Sequence, residues 1–162
     1  MGPAVTMVVT RHEITHLALC NWLGDTPLWL NEGLAEFSER LQFQQSYATA
    51  PAPVRNLDNV ARLRRSGSLP ALPSFLAMDR DDWNRLGNDI AYPYAWSLVH
   101  FLIKGPQHRP LVGAYLNTQA QHRCRAFDHA GYLDLNYPGG LDAVASDWGA
   151  WLIRSQAITL IY

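Results

Sequence analysis

The chain has 162 residues, 48% of them hydrophobic and 17% charged, which is enough apolar material for one globular domain, residues 1–162, with a sizeable core. A net charge of −1 and a pI of about 6.6 give no support for binding nucleic acid or an acidic membrane surface. Two cysteines, Cys20 and Cys124, permit one disulfide without showing one, so neither redox compartment nor cellular location follows.

The opening Met1 to Thr10 is apolar through Ala4, Val5, Met7, Val8 and Val9. It is too short to span a bilayer and lacks the basic start and cleavage site of a signal peptide, so it reads as the first turns of a helix. That helix carries Arg11-His12-Glu13-Ile14-Thr15-His16. Side chains four apart lie about 40° from each other around a helix axis, so His12 and His16 point the same way, one turn apart, and can chelate one metal ion. Glu13 falls about 100° away, on the flank, where a carboxylate reaches a metal-bound water without occupying a ligand position; it is the candidate general base. Cys20 has rotated about 80° from His12 and reads as a small buried residue rather than a fourth ligand.

Gly24-Asp25-Thr26-Pro27 is a turn, with Thr26 expected as N-cap and Pro27 as first residue of a second helix. Trp29, Leu30, Leu34, Phe37 and Leu41 follow at helical spacing, with Gln42 to Gln45, Tyr47 and Ala48 extending the helix until Pro51 and Pro53 stop it. Zinc in a hydrolytic site usually takes three protein ligands and keeps the fourth position for water. The other glutamates, Glu32, Glu36 and Glu39, all lie in this second helix. Returning antiparallel, the helix can face Glu32 towards the two histidines, and Glu32 is taken as the third ligand. Glu36, one turn on, is placed to accept a hydrogen bond from the free ring nitrogen of one histidine and fix its tautomer.

His-Glu-x-x-His followed by Trp-Leu-Asn-Glu-Gly-x-Ala-Glu resembles the gluzincin branch of the zinc metallopeptidases, in the MA-like superfamily. The resemblance implies that His12, His16 and Glu32 hold zinc, that Glu13 is the catalytic base, and that Glu36 orients a histidine. Where the metzincin branch has its third histidine this chain has Trp22. The implied fold is mainly α, a zincin-like helical domain with an antiparallel pair of zinc-binding helices. Such peptidases pair an extended substrate with the edge of an upstream sheet. There is no room for that sheet before His12, so the sequence is expected to be the C-terminal part of a longer protein.

Leu57, Val60 and Leu63 suggest a short helix with Arg62, Arg64 and Arg65 solvated near its end. Pro70 and Pro73 punctuate a connector, Ser74 to Met78 give one or two apolar turns, and Asp79-Arg80-Asp81-Asp82 open another around Trp83. Ala95, Leu98, Val99 and Leu102 form a core stripe of a helix ended by Gly105-Pro106. Here too the run Tyr-x-x-Ala-Trp-x-Leu-Val-x-x-Leu is similar to the one that supports the active-site helices of MA-like peptidases. Gluzincins of the aminopeptidase kind use a downstream tyrosine to hydrogen-bond the developing oxyanion, and the resemblance assigns that role to Tyr92, with Tyr94 as the alternative and simple packing of both rings as the plain reading. His100, His108, His122 and His129 lack ligand spacing and read as surface or satisfied core residues. Further helices are expected around Leu111 to Leu116, Arg125 to Leu133 and, after the Tyr137-Pro138-Gly139-Gly140 turn, Leu141 to Leu152.

The reading is a zinc-dependent hydrolase of peptide bonds, with a peptide or protein as its partner, no nucleic acid and no transmembrane segment. Its rivals are a non-catalytic zinc-binding module and a zinc hydrolase acting on a non-peptide bond.

Overall fold

A computed structural model describes residues 3–52, 54–123, 125 and 127–159. It is mainly helical, as expected, with nine helices and one small hairpin among the described residues. In chain order these are α1 Pro3–Leu23, α2 Leu28–Glu39, β1 Gln42–Phe43, β2 Ala48–Thr49, α3 Val54–Arg65, α4 Leu72–Leu76, α5 Arg80–Leu86, α6 Asn88–Lys104, α7 Arg109–Gln121, α8 His129–Asn136 and α9 Gly140–Thr159. None of these helices is long and apolar enough to cross a membrane.

The core is built around α6, whose residues from Tyr94 to Leu102 are all buried. Tyr94 lies between the rings of Phe75, 4.0 Å away, and Trp148, 4.9 Å away, so α4 and α9 close on opposite faces of one aromatic side chain. Such stacks contribute about 0.5–1.5 kcal/mol each beyond the area they bury. Pro93 sits inside α6 and has no N–H to give to the carbonyl of Asp89 one turn earlier. The side-chain amide of Asn59, on α3, donates to that carbonyl instead at 3.2 Å, so the freed acceptor becomes a tie between two helices.

α1 and α2 pair side chains in reverse order along their lengths, His12 with Glu39, Thr15 with Ser38 and His16 with Asn31, and Arg11 continues the series by donating to the Leu41 carbonyl just past α2. The turn between them needs Gly24, whose φ of +72° favours glycine and whose Cα faces the Arg123 backbone too closely for a Cβ. Gln119 of α7 fixes the same turn by donating to the carbonyls of Leu23 at 3.2 Å and Asp25 at 2.8 Å.

Three local expectations change. Pro27, not Thr26, is the N-cap of α2 and makes no side-chain cap bond, its own carbonyl accepting the first amides of the helix. The helix does not continue through Tyr47: it ends at Glu39, and Gln42–Phe43 pairs antiparallel with Ala48–Thr49. The run from Gln42 to Ala48 has no buried residue and no helical apolar stripe to dock, and Arg11 holds its start by donating to the Leu41 carbonyl at 2.7 Å. Cys20 is exposed rather than buried, because α1 turns it towards open solvent beside the cleft described below, while Cys124 lies outside the described residues.

α2 reaches α6 at Gly33. A Cβ there would lie 2.6 Å from Val99 Cγ2 and 2.7 Å from the Ala95 carbonyl oxygen. Gly33→Ala would stabilise an isolated helix by about 1 kcal/mol. In this chain it is expected to destabilise by about 1–3 kcal/mol, since backbone cannot yield as a side chain can. Thermal denaturation should therefore show a midpoint lower by about 2–10 °C. A midpoint unchanged or raised would mean that α2 and α6 are not packed at this register.

Candidate metal centre

His12 and His16 project from α1 towards α2 with their rings edge to face, centroids 4.6 Å apart. Their Nε2 atoms lie 3.5 Å and 3.6 Å from the same oxygen, Oε2 of Glu32. Glu32 is only 7% exposed, and that oxygen has no hydrogen-bond partner. A buried carboxylate oxygen left unpartnered costs of the order of 1–3 kcal/mol, so its place opposite two imidazoles calls for a cation. Ligand atoms at about 2.0–2.2 Å from a tetrahedral ion stand about 3.4 Å apart. The two observed distances meet that spacing, and the three atoms fit a metal ion.

The tautomers also fit. His12 Nδ1 donates to Glu39 Oε1 at 2.6 Å, and His16 Nδ1 donates to Asn31 Oδ1. Asn31 is itself held, its Nδ2 donating to Thr26 Oγ1 at 2.7 Å, which fixes the amide so that oxygen faces the imidazole. With both Nδ1 atoms carrying the proton, both Nε2 lone pairs are free for a metal.

The partner of His12 is thus Glu39, where Glu36 was expected. Glu36 stays within 4.8 Å of His12 and Glu39, but its hydrogen bond goes to Arg40, at 2.7 Å across one turn of its own helix, rather than to the ring. Glu39 is seven residues from Glu32, within about 20° of it around the axis and two turns further along, against about 40° for Glu36. Its nearness to the Glu32 line was legible in the sequence. Which glutamate meets the histidine depends on how the two helices cross, and that was not. Burial, and then the Glu36 charge, raise the Glu39 pKa above its usual value, while the hydrogen bond from His12 opposes the rise. Asn31, inside the second motif, went unassigned in the sequence reading.

Glu13 is exposed and lines an open cleft of 1370 Å³ that also takes in His16 and Glu32. Tyr92 and Tyr94 separate. Tyr94 is 2% exposed inside the aromatic core, with no path to the cleft, whereas Tyr92 lies beside Glu32. Burial first, then the Glu32 charge and a hydrogen bond to it, raise the Tyr92 pKa above the usual tyrosine value, so its hydroxyl keeps its proton. Each remaining histidine has one ring nitrogen engaged within the fold, His100 towards the Ala50 carbonyl, His108 with Tyr137, His122 with the Thr118 carbonyl and His129 with Tyr115. The Nδ1 atoms of His100 and His108 are buried without a partner, so these two are only half satisfied.

Residues 6–123 match the model of a family described as a protein of unknown function (DUF1570). The chain belongs to this family. The DUF1570 match takes in both histidines, Glu13, all three glutamates of α2 and Tyr92. No curated protein and no solved structure matches the chain.

The two glutamates are separable by experiment. Glu39→Gln is expected to weaken metal binding about 10–100-fold in a competition titration with a chelator, by loosening His12. Glu36→Gln is expected to leave affinity within about twofold, since Glu36 faces Arg40. The reverse order would restore Glu36 as the orienting residue.

Proposed function

We propose that this chain is a zinc-dependent metallopeptidase. The observation that carries the reading is the buried, unpartnered Oε2 of Glu32 facing the Nε2 atoms of His12 and His16 at 3.5 Å and 3.6 Å. Two imidazoles and one carboxylate suit zinc, and a three-ligand set is the pattern of hydrolytic rather than structural zinc sites, which close with four protein ligands. Among the described residues two possible groups share His12, namely His12–His16–Glu32 and His12–Glu36–Glu39, and the first, which holds both imidazoles and the unpartnered carboxylate oxygen, borders a cleft. The choice of a peptide bond over a small ester or epoxide rests on the likeness of the two motifs to those of the gluzincin peptidases. The zincin-like form of the fold, with its antiparallel pair of metal-binding helices, belongs to the same proposal.

His12, His16 and Glu32 hold the ion, with Glu39 and Asn31 fixing the two rings. A bound zinc supplies Lewis acidity, lowering the pKa of water to about 7 and polarising a carbonyl. Glu13, on the cleft side of α1, takes the proton of the attacking water and hands it to the leaving amine. The protonated hydroxyl of Tyr92 donates to the substrate oxygen as negative charge develops there.

Protein purified without added metal should contain about one zinc per chain and cleave a peptide library in a chelator-sensitive way. Glu13→Gln should keep its zinc and lose about 10²–10⁴-fold in turnover, whereas Glu32→Ala should lose zinc itself. Tyr92→Phe should lower kcat about 10²-fold with little change in KM. Full zinc occupancy in Glu32→Ala would overturn the third ligand, and a zinc-loaded protein that cleaves no peptide would overturn the peptidase reading.

A further inference from the structure

The cleft that borders the metal centre has an uneven distribution of charge. Most of the arginines are engaged within the molecule. Arg40 and Arg85 pair with carboxylates, Arg11 and Arg109 donate to carbonyls, Arg62 donates to Asn59, Arg64 lies over the Trp148 ring, and Arg65 also has a partner. Among the described residues Arg80, Arg123, Arg125 and Arg154 have no such partner, and the first three line one cleft, the one that Glu13, His16 and Glu32 also line. Arg80, the first residue of α5, stands within electrostatic reach of Tyr92, which itself lies beside Glu32. Arg123 and Arg125 come from the segment between α7 and α8, and Leu28, Met78 and Phe127 supply apolar wall between the charges.

No carboxylate of the cleft takes up one of these guanidinium groups: Glu13 and Glu32 face the candidate metal centre, Asp25 stands at the far turn, and Asp79 accepts the Asp82 amide as the N-cap of α5 while keeping its charge. A guanidinium with no partner presents a planar fork of donors matched to a carboxylate, and such pairs are the strong, geometrically specific members of their class.

We propose that the cleft selects substrates carrying a carboxylate close to the bond to be cleaved, with Arg80 as the residue that binds it and Arg123 and Arg125 as further unpartnered donors on the same cleft. This rests on the hydrolase reading for its reaction but not for its binding chemistry. The carboxylate can come from a peptide C-terminus or from an aspartate or glutamate side chain, since both offer the same two oxygens.

The test uses the zinc-loaded full chain and a peptide isostere whose central amide is reduced to an amine, so that it cannot be hydrolysed. Three forms are compared by calorimetry: one with a free C-terminal carboxylate, one amidated with glutamate beside the reduced bond, and one amidated and neutral. At least one carboxylate form is expected to bind about tenfold more tightly than the neutral one, and the preferred form identifies the source. Arg80→Ala should abolish most of that margin and Arg80→Lys restore part of it, because lysine keeps the charge without the fork. Arg85→Ala, on the same helix but paired outside the cleft, should leave it unchanged. Equal binding of all three forms, or a margin that survives in Arg80→Ala, overturns the proposal. The same three sequences with an ordinary amide then test hydrolysis separately. Preference without cleavage leaves the carboxylate subsite standing and removes the peptidase, and cleavage without preference does the opposite.

Discussion

The structure turns on one buried carboxylate. Glu32 is enclosed between α1 and α2, with one oxygen directed at two imidazoles and bonded to nothing. A charge removed from water costs several kcal/mol unless it is matched. Its neighbours are arranged around that fact: the seam between the two helices is polar where helix pairs are usually apolar. Arg11, His12, Thr15 and His16 meet Leu41, Glu39, Ser38 and Asn31, and only towards the end of α1 do buried leucines, Leu19 and Leu23, take over. Away from the seam α1 carries Ile14 and Trp22 in exposed positions, while the exposed Leu17 lines the cleft. A cation between His12, His16 and Glu32 would therefore join α1 to the rest of the chain as well as match the charge.

α6 sets the position of that seam. The glycine at position 33 lets the α2 backbone come against the Ala95 carbonyl, so the helix that carries Glu32 is referenced to the buried helix at the centre of the core. The neighbouring turn of α6 holds Tyr92 and Tyr94 on different sides, one towards Glu32 and one between Phe75 and Trp148. The depth of Tyr94 in its aromatic stack thus fixes where the Tyr92 hydroxyl stands. Packing far from the ligands sets their geometry.

What the sequence made legible follows from range. The convergence of His12 and His16 is a property of four residues on one helix, and the placement of Glu32 opposite them needs only a short turn and a reversal of direction. Both were readable, as were the helical character of the chain and the apolar stripe of α6. The choice of Glu39 over Glu36 depends on the crossing of two helices and on Arg40 capturing its neighbour, neither of which periodicity records. The hairpin at Gln42–Thr49 replaces a helix extension because that stretch buries no apolar face, its exposed Phe43 ring meeting the Arg11 guanidinium at 5.5 Å, a tertiary fact. The separation of Tyr92 from Tyr94 came from burial alone, since the two stand almost adjacent in the chain.

The cleft arginines belong to the same class of long-range facts, and they bear on how chemistry and selection divide. Glu13, Glu32 and Glu39 bring carboxylates to the candidate metal centre, and a divalent cation there would offset two of their charges. A centre left without positive charge does not draw in a further carboxylate at cleft distances, where solvent and salt screen the field. Attraction for an anionic group must then come from elsewhere on the cleft wall, and α5 with the α7–α8 segment carries unpaired positive charge there. The proposed reaction is held by α1, α2 and α6, elements tied together through Gly33, Gly24 and Gln119. The proposed selectivity sits on a short helix and a connecting segment that contribute nothing to the ligand set. Substitutions on those elements can change which substrate is held without moving a metal ligand.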